Sequence, residues 1–520
     1  MAGCKYIKVA LILVVTLGIW MGSTSASVLA VDADAVKEKP KHVLLTYDSY
    51  GIGTSRQGNM DALQQLLAAF GAQVTIVDID RYQPGTLQTY DKVIGVHNAY
   101  DLPLSNADYI ADLEAYKGDY FHIGAMIPPQ VKAKLGLQTQ MASGGTIRIS
   151  IDKLQQTFIQ AEPLPYVQKA TGRTYGELTI GGTAYPFAVS HEKYGYIPYL
   201  KQGNLSEIAA AYVLKDWLEV SHKGRTYLLF KEVYPFSDLN LLERLADQLH
   251  EAGLPFMVSV RPVFSNTDYP AMKRYLETLK YMQSRNGSIL INAPVVASTI
   301  SVQDDTLQAK MEGFVDVLAD YGIAPLGVGA EMYWSYDHLY AEQGMSFSNS
   351  AVLYPNEQAS YRSRSDTSKA FQSSLFSMSL SFMDQFDRSS KAIPPLPMDS
   401  VITFDFFKDQ AQLDTAIQNL LDSWITFSDY KYESHEVKTP RNHIVSYKGA
   451  IAINGQRVDL GSAIKDISSD YTYKEEQQKS FEKLFNVQNK IFIIIIIITL
   501  MVFGGFFIVG YRLYKRKYYK

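Results

Sequence analysis

Six polar side chains stand at the ends of short apolar runs: Lys231, Glu232, Arg261, Asn292, Glu331 and Asp405. The runs cover 227–230, 256–260, 288–291, 326–328 and 401–404, and Tyr333, Trp334 and His338 follow Glu331 closely. Short apolar runs alternating with helical patterns read as parallel strands. Polar groups at the C-terminal ends of such strands gather on one face, where α/β folds place their chemistry. Two kinds of chemistry suit this set. Glu232, Glu331 and Asp405 could supply the acid and base of a glycoside hydrolase or lyase. A retaining hydrolase needs two carboxyl groups roughly 5 Å apart, an inverting one roughly 6.5–9.5 Å. Alternatively the rim binds a saccharide. Lys231, Arg261, Asn292 and His338 would then bond hydroxyls, and Tyr333 and Trp334 would stack on sugar rings. The structural alternative is that the carboxylates only pair with Lys231 and Arg261.

The elements that must position these residues follow from the pattern. After 227–230, Pro235 blocks continuation of the strand and Ser237 or Asp238 can cap a helix. That helix, 239–252, is apolar at Leu241, Leu242, Leu245 and Leu249, and Gly253 ends it before the strand over 256–260. This is a βαβ unit. A further strand is expected over 351–353, and helices over 271–285, 303–321, 368–384 and 410–421. Together, 227–430 reads as an irregular (β/α) barrel of six or seven strands.

Upstream, 41–143 alternates strands (42–47, 73–79, 92–96, 120–125) with helices (59–70, 106–116), the pattern of a flavodoxin-like parallel sheet. That sheet also resembles the glutamine-amidotransferase-like fold, but the mature chain would have no cysteine to act as its nucleophile. The loop carrying Gly51 and Gly53 could cradle an anion at a helix N-terminus, although it lacks the full dinucleotide-binding spacing. Residues 144–226 alternate apolar and polar, with a hairpin signal at Gly181-Gly182, and read as a β-rich linking subdomain. Residues 431–490 hold a hairpin at Asn454-Gly455 and a charged juxtamembrane stalk.

The two ends locate the chain. Lys5 and Lys8 precede an apolar run and then small residues, so 1–30 reads as a signal peptide. The one cysteine, Cys4, lies inside it, which leaves no disulfide or thiol chemistry to the remainder. An uncharged run over 491–511 includes isoleucine at every position from 493 to 498. At 1.5 Å per residue it is long enough for a hydrocarbon core of ~30 Å. The basic tail over 512–520 is then cytoplasmic and the body extracytoplasmic. A net charge of −4 gives no sign of nucleic-acid binding.

The segment 226–430 resembles the polysaccharide-deacetylase superfamily, and most closely its membrane-anchored, deacetylase-like branch. The residues that carry the likeness are Lys231-Glu-Val-Tyr-Pro-Phe-Ser-Asp238, Leu249-His-Glu-Ala-Gly-Leu-Pro-Phe256, Val260-Arg-Pro-Val263, Gly287-Ser-Ile-Leu-Ile-Asn-Ala293 and Ile402-Thr-Phe-Asp-Phe-Phe407. The resemblance implies an Asp-Asp pair after the first strand, a base and a metal ligand. It also implies two metal-binding histidines after the third strand and a late histidine acid. Here Lys231 stands at the base position, Glu232 at the metal position, Asn292 and Val296 at the two histidines, and Asp405 at the late one. One carboxylate without imidazoles falls short of the three firm ligands such sites use. The resemblance therefore implies a catalytically degenerate protein with neither metal nor cofactor. Its partner would be an exopolysaccharide at the bacterial cell surface, bound or guided during synthesis or export. A third reading is a scaffold for a polysaccharide synthase complex.

Overall fold

A computed structural model describes residues 40–294, 306–356, 366–390, 393–461 and 476–518. The expected signal peptide and Val296 lie outside the described residues. The chain forms two units, 1–467 and 468–520.

The larger unit begins with β1 (Lys41–Tyr47), α1 (Asn59–Ala69), β2 (Ala72–Asp78), β3 (Lys92–His97), α2 (Ala107–Ala115) and β4 (Asp119–Gly124). These four strands are parallel in the order β2-β1-β3-β4. The next segment contributes β5 (Gly145–Ile151), β6 (Leu154–Gln160), β7 (Arg173–Ile180), β8 (Thr183–His191), β9 (Tyr194–Ile197) and α3 (Ser206–Trp217). Gly181 and Gly182, both at positive φ, make the tight turn between β7 and β8.

Instead of closing a separate subdomain, these strands continue the first sheet. β9 pairs in parallel with β4, and β8, β7, β5 and β6 follow antiparallel. The expected boundary at 143/144 therefore runs through one sheet, whose tenth strand is Asp387–Arg388, laid along β6. At the opposite edge Thr367 bridges Thr75 on β2. Covering an edge removes a row of unpaired backbone groups that would otherwise recruit another strand.

The barrel is closed by seven parallel strands. They are β10 (Thr226–Val233), β11 (Phe256–Val260), β12 (Gly287–Asn292), β13 (Pro325–Glu331), β14 (Ser350–Tyr354), β15 (Ser373–Met378) and β16 (Ser400–Asp405). Helix α4 (Leu239–Glu251) follows β10, capped by Asp238, whose carboxylate accepts the backbone N–H groups of Asn240 and Leu241. Its leucines 241, 242, 245 and 249 are buried in the core. The strand β15 corrects the helix expected over 368–384. Ser374 through Met378 are all buried. A strand covered on both faces shows no two-residue alternation, and Phe371, Leu375 and Met378 at spacings of three and four mimic a helix.

The N-terminal end of the barrel is sealed by Tyr430, whose ring meets Tyr227 edge-on at 5.3 Å and stacks on His435 at 3.9 Å. His435 Nε2–H donates to the Tyr430 carbonyl at 2.8 Å, leaving Nδ1 to accept from the Ser350 hydroxyl, also at 2.8 Å. Burial pushes the His435 pKa down to about 4. A depressed folded pKa means that the unfolded chain takes up the proton first. The contribution is complete above about pH 6.5 and is lost as pH falls toward 4. The stability difference between the native chain and His435→Gln should shrink by roughly 2–3 kcal/mol from pH 7 to pH 4, as read by denaturant melts. A pH-independent difference would refute the neutral buried histidine.

The second unit holds a helix, Glu476–Tyr518, within which Phe492–Arg516 is long and apolar enough to cross a membrane.

Candidate functional site

Because all seven strands are parallel, the residues at their C-terminal ends share one end of the barrel. Lys231 and Glu232 on β10, Arg261 after β11, Asn292 ending β12, Glu331 ending β13 and Asp405 ending β16 all lie there. The side chains pair across adjacent strands. Lys231 Nζ lies 3.1 Å from Asp405 Oδ1, in register with it across β10 and β16. Arg261 Nη2 donates to Glu232 Oε1 at 2.6 Å. The cations are recessed, with side-chain exposures of 19% for Lys231 and 20% for Arg261. Their partners stand outward, at 77% for Asp405 and 41% for Glu232.

A bulge makes both pairs possible. Phe230 is in register with Val258 and Val233 with Val260, so Lys231 and Glu232 together face Ser259 alone. Glu232 adopts a φ of 64°, in the left-handed region that disfavours a side chain. Bulges re-aim side chains next to functional sites, and such strain persists only where surrounding structure imposes it. In a regular strand, Lys231 and Glu232 would point to opposite faces. The bulge instead gives each a partner on a different neighbouring strand.

Four expected residues are placed differently. Tyr333 and Trp334 lie on α7 (Met332–Tyr336) and are each only 5% exposed. Helices α5 (Pro270–Ser284) and α6 (Thr306–Asp320) precede it along the chain. Trp334 packs 4.1 Å from Tyr340 and 5.4 Å from Tyr333, so these rings are core and offer no face to a sugar. His338 is exposed at the start of α8 (His338–Gly344) and faces Glu342 one turn on, at 3.4 Å. Asn292 is buried.

Sequence reading missed the aromatic rings that do face solvent here. Phe236, in the loop after β10, is 60% exposed and stacks on Tyr234 at 4.8 Å. Tyr234 in turn lies 5.7 Å beneath the Arg261 guanidinium. Phe264 and Tyr269 stand exposed in the loop after β11. Tyr354, ending β14, is buried beneath the site, its ring 5.6 Å from Lys231 Nζ. Burial pushes the Tyr354 phenol up. The available signal was position: aromatic residues in the loops that follow barrel strands.

The carboxylates here are engaged by cations, Glu232 by Arg261 and Asp405 by Lys231. Among the described residues no group of three His, Cys, Asp or Glu is placed to hold an ion.

The glycine loop of the first sheet also differs from expectation. Its amides are used within the protein. Gly53 N–H donates to Gln57, Thr54 N–H to the Gly51 carbonyl, and Ser55 N–H to Glu162 Oε1. Glu162 also accepts from the Ser55 hydroxyl and from Arg56 at 3.0 Å. The anion at this loop is thus a carboxylate of the chain itself. No family model matches this chain, and no curated protein matches it.

Proposed function

We propose that this chain is a membrane-anchored, extracytoplasmic polysaccharide-deacetylase-like protein. Its barrel mouth would bind or guide a cell-surface exopolysaccharide during synthesis or export, without metal-dependent deacetylation. The observation that carries the reading is the rim itself. Stacked Tyr234 and Phe236 lie against the Arg261–Glu232 pair, the Lys231–Asp405 pair shares that end of the barrel, and Phe264 and Tyr269 stand exposed in the loop after β11. Aromatic faces beside charged hydrogen-bonding groups are what a saccharide needs, since its ring C–H faces pack on aromatics while its hydroxyls bond polar atoms. The replaced metal ligands argue for binding over hydrolysis of an acetyl group. The apolar C-terminal helix with its basic end supports anchoring with the body outside. The strand order β2-β1-β3-β4 supports a flavodoxin-like origin for the first sheet.

The test is glycan binding by the full chain in nanodiscs, first on a polysaccharide panel and then by titration of any ligand retained. Phe236→Ala should weaken binding about tenfold, the effect of ~1.4 kcal/mol lost from an aromatic contact. Its exposure means that stability should hold. Unchanged affinity in Phe236→Ala, or a panel on which nothing binds, would refute the saccharide rim.

A further inference from the structure

The mouth has an inner tier that the ion pairs do not use. Ser259 on β11 and Tyr354 on β14 reach toward each other across the barrel above Gly329 on β13. A Cβ at Gly329 would stand 2.4 Å from the Tyr354 hydroxyl and 2.9 Å from Ser259 Oγ. Glycine therefore makes room for both hydroxyls, which take the space a side chain would fill. Both residues are more than nine-tenths buried, and the two hydroxyls lie within hydrogen-bonding reach of each other, with no third partner among the described residues.

Arg261 lies two residues beyond Ser259, just past the end of β11, and is close enough for its charge to act on the Tyr354 phenol. Its Nε–H is buried and has no partner among the described residues, while Nη2 serves Glu232. Lys231 stands over the Tyr354 ring. The inner tier thus presents N–H and O–H groups, whereas the acceptors Glu232 and Asp405 stand outside it.

We propose that this site selects an acidic saccharide, seating a sugar carboxylate on the donors of Ser259, Arg261 and Tyr354. The inference rests on the saccharide reading above and adds the charge of the ligand. A carboxylate offers two acceptor oxygens and a charge that matches the guanidinium fork. A neutral hydroxyl answers fewer of these donors and compensates neither cation when a rim carboxylate swings away. With the acid group inside, the ring hydroxyls meet Glu232 and Asp405, and the ring face meets Tyr234 and Phe236.

The experiment uses the full chain in nanodiscs with tetragalacturonate, tetramannuronate, their methyl esters and cellotetraose. The esters keep the ring and remove the charge. At least one free acid should bind ten-fold or more tighter than its ester. Arg261→Gln should erase that ratio. Tyr354→Phe, which keeps the ring and removes only the hydroxyl, should reduce it several-fold without changing thermal stability. Equal binding of acid, ester and neutral saccharide would overturn the charge selectivity and leave the saccharide reading standing. Binding of none of these probes, with cellotetraose and every polysaccharide of the panel also unbound, would overturn both. A ratio unchanged in both Arg261→Gln and Tyr354→Phe would overturn the assignment to this tier.

Discussion

Trp334→Ala is expected to lower the stability of the body by about 3–5 kcal/mol, the usual cost of truncating a buried aromatic. Affinity for any saccharide, per folded molecule, should stay the same. From sequence, Trp334 is an attractive stacking residue, because it follows Glu331 at a strand end. In the fold it lies on a five-residue helix, 5% exposed, with its ring against Tyr340 and Tyr333. Tyr340 in turn donates its hydroxyl to the Pro294 carbonyl at 2.5 Å, tying α8 to the chain just after β12. Removing the indole therefore leaves a cavity and loosens this tie. Denaturant melts and glycan titration on the same preparation read both quantities. A loss below 1 kcal/mol combined with weaker binding would return Trp334 to the ligand site.

Glu207→Gln is expected to stabilise the protein by roughly 2–3 kcal/mol at pH 7. Glu207 lies in the first turn of α3, 5% exposed, and accepts the Gly203 N–H at 2.5 Å. Burial pushes its pKa up to about 8 from an ordinary 4.5, and the single backbone bond only partly opposes this. The folded pKa is raised, so the unfolded chain releases its proton first. Stability from this group is complete below about pH 4.5 and declines as pH rises toward 8. Glutamine keeps the acceptor for Gly203 and cannot ionise. The gain should vanish near pH 4 and grow up to pH 8. A gain independent of pH, or a loss at pH 8, would show that Glu207 is ionised in the fold.

These two residues show where reading the chain stops. The strand ends with their charges, the cap at Asp238, the glycine turn at 181–182 and the apolar helix near the C-terminus were all legible. Each is a local pattern, set within a few residues by periodicity, backbone freedom or lack of charge. The alternation of strands and helices was also enough to imply a parallel barrel, and with it one shared end for Glu232, Arg261, Asn292, Glu331 and Asp405.

Only the tertiary structure decided what these residues do there. The bulge at Lys231 and Glu232 depends on the register between β10 and β11, which no residue in β10 reveals by itself. The strand β15 looks helical until neighbours bury both its faces. Trp334 and Phe236 both lie just beyond strand ends, and the local sequence ranks them alike. Packing sends one inward against Tyr340 and leaves the other facing water. The continuation of the first sheet through β9 likewise joins segments that composition separates. Pairing, register and burial join residues far apart along the chain, so the rim's chemistry emerged only when the barrel closed.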